Sequence, residues 1–135
     1  MKRVLFDTNV LLDVLLRREP HFSASAAALD AVGQGTVEGY IAGHAVTTLA
    51  YLLEQQLGSK KSRVVLSDLL SKMRVAPVTD AAIRQACNSP LDDFEDAVCH
   101  AAALEAGVSV IVTRNIADFA KAEIPSVLPE VFRPE

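Results

Sequence analysis

Val4-Leu5-Phe6-Asp7-Thr8-Asn9-Val10 is the stretch on which the reading of the chain turns. Three apolar residues run into an acidic one. Thr-Asn follows, and then Val10, Leu11, Val14 and Leu15 recur at helical spacing, with Asp13 and Arg17 turned away. A short apolar run of this kind reads as a buried strand. The polar triplet reads as a strand-to-helix turn. In an open α/β sheet such a turn lies outside the carboxyl end of the strand, where ligands bind. Asp7 is therefore placed at the mouth of a core strand. A helix N-cap explains the same aspartate equally well.

Working outward, Glu19-Pro20 closes the first helix, because proline disfavours helical geometry in the residue before it. A second helix over about 21–33 carries Phe22, Ala26, Leu29 and Val32 inward, and a strand spans 36–42. Gly43 opens a third helix running to about Leu57. Its core stripe is Val46, Leu49, Ala50, Leu53 and Leu57, and His44, Thr48, Tyr51 and Gln55 share another face. A fourth helix over about 60–73 buries Val64, Val65, Leu69 and Met73. The strand at 74–78 is expected at an edge because of Pro77. Thr79 caps a short helix. A further helix spans about 93–106, with Phe94, Ala97, Val98, Ala101 and Leu104 as its apolar stripe. A strand over 108–112, a helical turn at Ala117-Asp118-Phe119 and a last edge strand within 126–129 complete the series. Strands alternating with helices predict an α/β fold with a mainly parallel central sheet. With no repeat and no linker, residues 1–135 are expected to form a single domain.

Half of the 135 residues are hydrophobic, which argues for a packed core rather than disorder. No apolar run approaches the roughly 18 residues of a membrane span, and Met1-Lys2-Arg3 precedes too few apolar residues for a signal peptide. A cytoplasmic location, away from membranes, is expected. The net charge of −4 argues against a protein that coats nucleic acid through bulk positive charge. Cys87 and Cys99 lack metal-type spacing and read as buried free thiols.

Acidic groups recur where strands end. Asp118 follows the 108–112 strand, and Asp92-Asp93-Phe94-Glu95-Asp96 opens the late helix. Each has a structural explanation. Asp92 with Glu95 looks like an N-cap and its capping-box partner. Asp93 and Asp96 in a first helical turn gain about 0.3–1 kcal/mol each from the helix dipole. Brought to one point, however, carboxylates raise one another's pKa and call for a counterion. Hard oxygen ligands suit Mg²⁺ or Mn²⁺.

Three segments in order carry a family resemblance: Phe6-Asp7-Thr8-Asn9-Val10, Asp93-Phe94-Glu95-Asp96-Ala97, and Val112-Thr113-Arg114-Asn115 with Asp118-Phe119. With the ending Ile124-Pro125-Ser126-Val127-Leu128-Pro129-Glu130, the chain resembles the PIN-domain nucleases, in particular VapC-type toxins of toxin–antitoxin pairs. The resemblance implies a three-layer α/β/α sandwich and a metal-dependent endoribonuclease using Mg²⁺ or Mn²⁺. It also implies an RNA substrate, a homodimer and a cognate antitoxin. By position it implies Asp7, Asp96 and Asp118 as metal ligands, with Asp93 beside them as a further catalytic carboxylate. Asn9, Thr113 and Asn115 would position substrate, water or a carboxylate, and Arg114 would contact phosphate or lie at the surface. One position departs from the family: its third helix usually presents an acid where this chain has Thr48. Threonine can hold a water but brings no charge, and Asp93 is expected to make up the difference.

Two other readings compete. A PIN-like module that binds RNA or protein with little catalysis would suit Thr48. An aspartyl-phosphate hydrolase would want a second aspartate where the chain has Asn9.

Overall fold

The computed structural model describes all of residues 1–135. Its centre is strand β1 (Arg3–Phe6), and Val4, Leu5 and Phe6 are at most 1% exposed. Burial on both faces is what an uninterrupted apolar run requires of a parallel strand. The chain continues through α1 (Thr8–Leu15), α2 (Phe22–Gly33), β2 (Glu38–Ala42), α3 (Gly43–Leu57) and α4 (Ser59–Leu70). Then come β3 (Arg74–Ala76), α5 (Asp80–Ala86), α6 (Phe94–Glu105), β4 (Val110–Val112), a 3-10 turn (Ile116–Phe119) and β5 (Ser126–Val127).

All four strand pairings are parallel and the order is β3-β2-β1-β4-β5. From β1 the chain steps outward to β2 and β3, then crosses back to β4 and β5. Right-handed connections running first one way and then the other leave helices on both faces of the sheet. The result is the expected α/β/α sandwich with a parallel sheet, and β3 and β5 are its edges as expected. The order reverses between β1 and β4. A crevice opens at such a switch point outside the strand ends. Asp7 and Thr113, which directly follow β1 and β4, stand on its two sides.

Small residues let the helices approach the sheet. A Cβ on Gly39 of β2 would lie 2.7 Å from Val32 Cγ2, so α2 packs there only against glycine. In α6, Ala97, Ala101, Ala102 and Ala103 are each at most 2% exposed. Gly107, at φ +74°, ends that helix in the left-handed region.

Several inward faces differ from the periodicity reading. In α2 the fully buried residues are Ser25, Ala28, Ala31 and Val32, while Phe22, Ala26 and Leu29 are half-buried. Alanine-rich helices give a weak apolar moment, so the smallest face can win the sheet. Val64 is 69% exposed; Leu69 is buried as expected, and Ser62 is the other buried residue of α4. Phe94 is 52% exposed, because it sits at the first position of α6, beyond the sheet end. Cys99 is a buried free thiol, but Cys87, just past α5, is exposed.

Asp13 is the largest correction. It is not turned away but wholly buried, at 0% exposure. Arg18 Nη2 lies 3.1 Å from its Oδ1 and Arg114 Nε 3.0 Å from its Oδ2. The Ser25 hydroxyl donates to Oδ2 at 3.0 Å. A buried carboxylate is tolerated when paired and hydrogen-bonded in this way.

Candidate active site

Asp7 is held from two directions. As N-cap of α1, its Oδ1 accepts from the Thr8 backbone N–H at 2.8 Å. Its Oδ2 accepts from the Thr113 hydroxyl at 2.8 Å. Thr113 is fully buried, and its Oγ1 also accepts from the Asn115 N–H at 3.0 Å. The Asp7 N–H donates to Val112 O at 3.0 Å, extending the β1–β4 ladder by one step. Capping and site-building are thus compatible: each oxygen takes one bond and keeps a lone pair for another partner.

The late helix begins one residue later than the capping-box reading had it. Asp93, not Asp92, is the N-cap of α6, and its Oδ1 accepts from the Asp96 N–H at 3.0 Å. Asp96 then stands at the third helical position, where Glu95 would have been under the other reading. Asp118 lies in the 3-10 turn, with its N–H donating to Asn115 O at 3.0 Å. Asp92, Asp93, Asp96 and Asp118 line one cleft of about 130 Å³ together with Lys121.

Asp96 records the field of the group. Its pKa is pushed up to about 6, first by burial and then by Asp93, Asp118 and Asp7, with Glu95 after them. Beneath it, the Cys99 thiol is pushed far up by burial and by Asp7 and Asp96. The ion pairs of the molecule lie elsewhere, and none involves Asp7, Asp93, Asp96 or Asp118. The cluster is therefore negative charge with no ion pair within it, and Lys121 on the cleft wall pairs with none of these carboxylates. As placed, no three of these side chains come close enough to enclose a metal ion between them. Mg²⁺ does not require that, since it is commonly held by one or two carboxylates with waters and phosphate oxygens completing the shell. An all-oxygen, uncompensated donor set fits such a cation.

The other expected residues fall into two groups. Thr113 and the Asn115 backbone brace Asp7, as described. Asn9 and Arg114 belong to a neighbouring strut. Arg18 Nη2 donates to Asn9 Oδ1 at 3.2 Å and to Asn9 O at 3.1 Å, and Arg18 itself is paired with Asp13. The Arg114 guanidinium engages Asp13, with His21 Nε2 3.1 Å from its Nη1. Both side chains are thus occupied within the fold. Thr48 is exposed on α3 and forms no side-chain hydrogen bond. Periodicity missed the Asp13 network because it reads a charged residue as outward. The available signal was Arg18, five residues after Asp13, which is the one acidic residue of an otherwise largely apolar helix.

The fold and the acidic cleft define a parallel-sheet α/β/α protein with carboxylates gathered at the topological switch point. The chain belongs to the PIN-domain family, whose model matches residues 3–117. Among solved structures, FitAcB from Neisseria gonorrhoeae superposes with a TM-score of 0.70 at 20% identity, covering 96% of this chain and 99% of its own. A toxin–antitoxin complex from Klebsiella pneumoniae gives 0.70 at 22% identity, covering 93% and 97%. The Mycobacterium tuberculosis VapC20 toxin, described as cleaving the sarcin–ricin loop, gives 0.63 at 16% identity, covering 80% and 86%. At these identities the likeness speaks for the fold. The comparison with curated proteins yields no significant match. No helix of the chain is long and apolar enough to cross a membrane.

Proposed function

We propose that the protein is a metal-dependent endoribonuclease and the toxin of a toxin–antitoxin pair. The observation that carries this reading is the unpaired acidic cluster, in which burial and then Asp93, Asp118 and Asp7 push the Asp96 pKa up to about 6. Such a cluster is costly to the fold and is relieved by a divalent cation. Asp7, Asp96 and Asp118 would hold Mg²⁺ or Mn²⁺, with Asp93 adding charge beside them. When bound, such a cation neutralises phosphate oxygens and lowers the pKa of water. The chain's own residues do the positioning. Thr113 and the Thr8 N–H fix both oxygens of Asp7, so that carboxylate cannot swing away from the crevice. Asn115 keeps the Thr113 hydroxyl donating to Asp7 by occupying its acceptor side. Asn9 and Arg114, through Arg18 and Asp13, tie α1 to the segment that follows β4.

The toxin reading is supported by family membership and by the toxin–antitoxin complexes among structures of the same fold. A cognate antitoxin, a homodimer and a cytoplasmic location belong to the same proposal. Purified protein should cut RNA with Mg²⁺ or Mn²⁺, stop in EDTA, and lose activity in Asp7→Asn. Metal-dependent cleavage surviving in that variant would overturn the assignment.

The exposed Thr48 favours a second reading, a PIN-like module that binds RNA or protein with little catalysis. Calorimetry separates the two. Absence of Mn²⁺ binding, with RNA or partner binding intact, would select the module.

A further inference from the structure

Beside the acidic cleft lies a second cavity, of about 340 Å³. It is at the small end of the roughly 300–1,000 Å³ of ligand pockets. Pro90 and Lys121 line both spaces, so the two adjoin. The second differs in chemistry. Gln85, Asn88, Ser89, His100 and Glu123 line it, offering amide, hydroxyl, imidazole and carboxylate groups.

His100 is fixed in this wall. It is 8% exposed, and its Nε2 accepts from the Ile124 N–H at 3.2 Å. An imidazole that accepts at Nε2 carries its proton on Nδ1 when neutral, and burial lowers its pKa and favours that neutral form. Nδ1–H has no protein acceptor, which leaves it a free donor. Glu123 is the carboxylate whose charge acts on His100. A fixed donor thus stands near an acceptor-only carboxylate.

We propose that this cavity is a nucleotide subsite of the RNA-cutting cleft, taking the base next to the scissile phosphate and selecting cytosine or adenine. Those two bases present an exocyclic amine beside a ring-nitrogen acceptor. Glu123 accepts from the amine and His100 Nδ1–H donates to the ring nitrogen. Uracil offers the opposite pattern at both atoms. Lys121, free of any ion pair and standing where the two spaces join, holds the connecting phosphate. The proposal rests on the acidic cleft being the nuclease site.

Fluorescence anisotropy with labelled single-stranded oligo(C), oligo(A) and oligo(U) tests it. The full chain is used in Ca²⁺, with the RNA verified intact on gels. Oligo(C) and oligo(A) should bind about tenfold tighter than oligo(U), within the range of one discriminating base contact. Glu123→Ala, an exposed position, should bind all three RNAs at least as well, since a negative charge is lost, but with the preference within about twofold. Lys121→Ala should weaken all three alike and reduce the slope of log affinity against log salt by about 0.7, one phosphate contact on a single strand. The subsite is overturned by equal binding of the three RNAs, by a preference that survives Glu123→Ala, by an unchanged salt slope in Lys121→Ala, or by no RNA binding at all. Cleavage with Mn²⁺ keeps the two readings apart. RNA cut without base preference sinks the subsite and spares the nuclease, and preferential binding without any cutting does the reverse.

Discussion

Neutralising Asp96 should stabilise the metal-free protein while weakening its response to metal. The ordinary carboxylate pKa of 3.8 rises to about 6 in the fold. The folded state therefore binds the Asp96 proton more tightly than the unfolded chain. Its contribution to stability is fully present below about pH 4 and is lost as pH rises through about 6. Above that, the ionised group costs up to about 3 kcal/mol at 1.36 kcal/mol per pKa unit. Solvent at the open rim screens this to about 1–2 kcal/mol. The α6 dipole offsets about 0.3–1 kcal/mol of it. Asp96→Asn in EDTA should thus gain about 0.5–1.5 kcal/mol near pH 8, a rise of roughly 2–5 °C in Tm. Near pH 5 the gain should fall to about half, because wild-type Asp96 is then mostly protonated. Adding Mn²⁺ should reverse the order, since a ligand that binds only the folded state stabilises by RT ln(1 + [L]/Kd) and the variant binds it less well. Thermal melts by circular dichroism at the two pH values, with and without Mn²⁺, read all of this. Equal melting of the two proteins near pH 8, or a difference independent of pH, would refute the burial and mutual repulsion that raise the Asp96 pKa, on which the site reading stands.

Asp93→Asn should keep the α6 N-cap, since asparagine caps as well as aspartate; its melting point should hold while Mn²⁺ affinity by calorimetry falls. Unchanged metal binding and cleavage would show that Asp93 does not stand in for the acid missing at Thr48. Thr113→Val removes a hydrogen bond to a charged acceptor, worth about 1.5–3 kcal/mol, and should lower cleavage more than it lowers Tm. Asp13→Ala leaves Arg18 and Arg114 facing each other without their buried carboxylate and should cost about 3–5 kcal/mol in urea unfolding. Gly39→Ala should cost about 1–3 kcal/mol by the same measurement, because its Cβ would press on Val32 at 2.7 Å.

The sheet was legible in the sequence because parallel strands buried on both faces have no periodicity to misread. Val4-Leu5-Phe6 and Val110-Ile111-Val112 are simply apolar runs ended by polar ones. Helix faces were less legible where alanine dominates. In α2, Ala26 and Ala28 differ by almost nothing in transfer energy, so packing against Gly39 decides which turns inward. The approach of Asp7 to Thr113 needs the β1–β4 pairing, which no local pattern carries over a separation of 106 positions. Asp13 was misread for a related reason. Its partners Arg18 and Arg114 lie 5 and 101 residues away, and only their joint arrival makes a buried carboxylate affordable.

That arrival also bears on how the site is built. Asp7 caps α1 and Asp13 lies within it, one turned to the crevice and the other to the core. The crevice carboxylate has hydrogen bonds but no cation, whereas the core carboxylate has two arginines. A fold that supplies two guanidinium groups to Asp13 and none to Asp7, Asp93, Asp96 or Asp118 has cations available and does not spend them on the cleft. Pairing an arginine with Asp96 would lower its pKa and quiet the repulsion, but it would also occupy the lone pairs a metal needs. The exposed Thr48 then changes the amount of negative charge rather than the character of the site. Mg²⁺ needs only one or two direct carboxylates, which the proposed ligands Asp7, Asp96 and Asp118 would supply without an acid at position 48. The expected consequence of Thr48 is weaker metal affinity with the same ligands. Thr48→Glu should tighten Mn²⁺ binding in calorimetry; if affinity is unchanged, position 48 of α3 is too far from the cleft for its charge to matter.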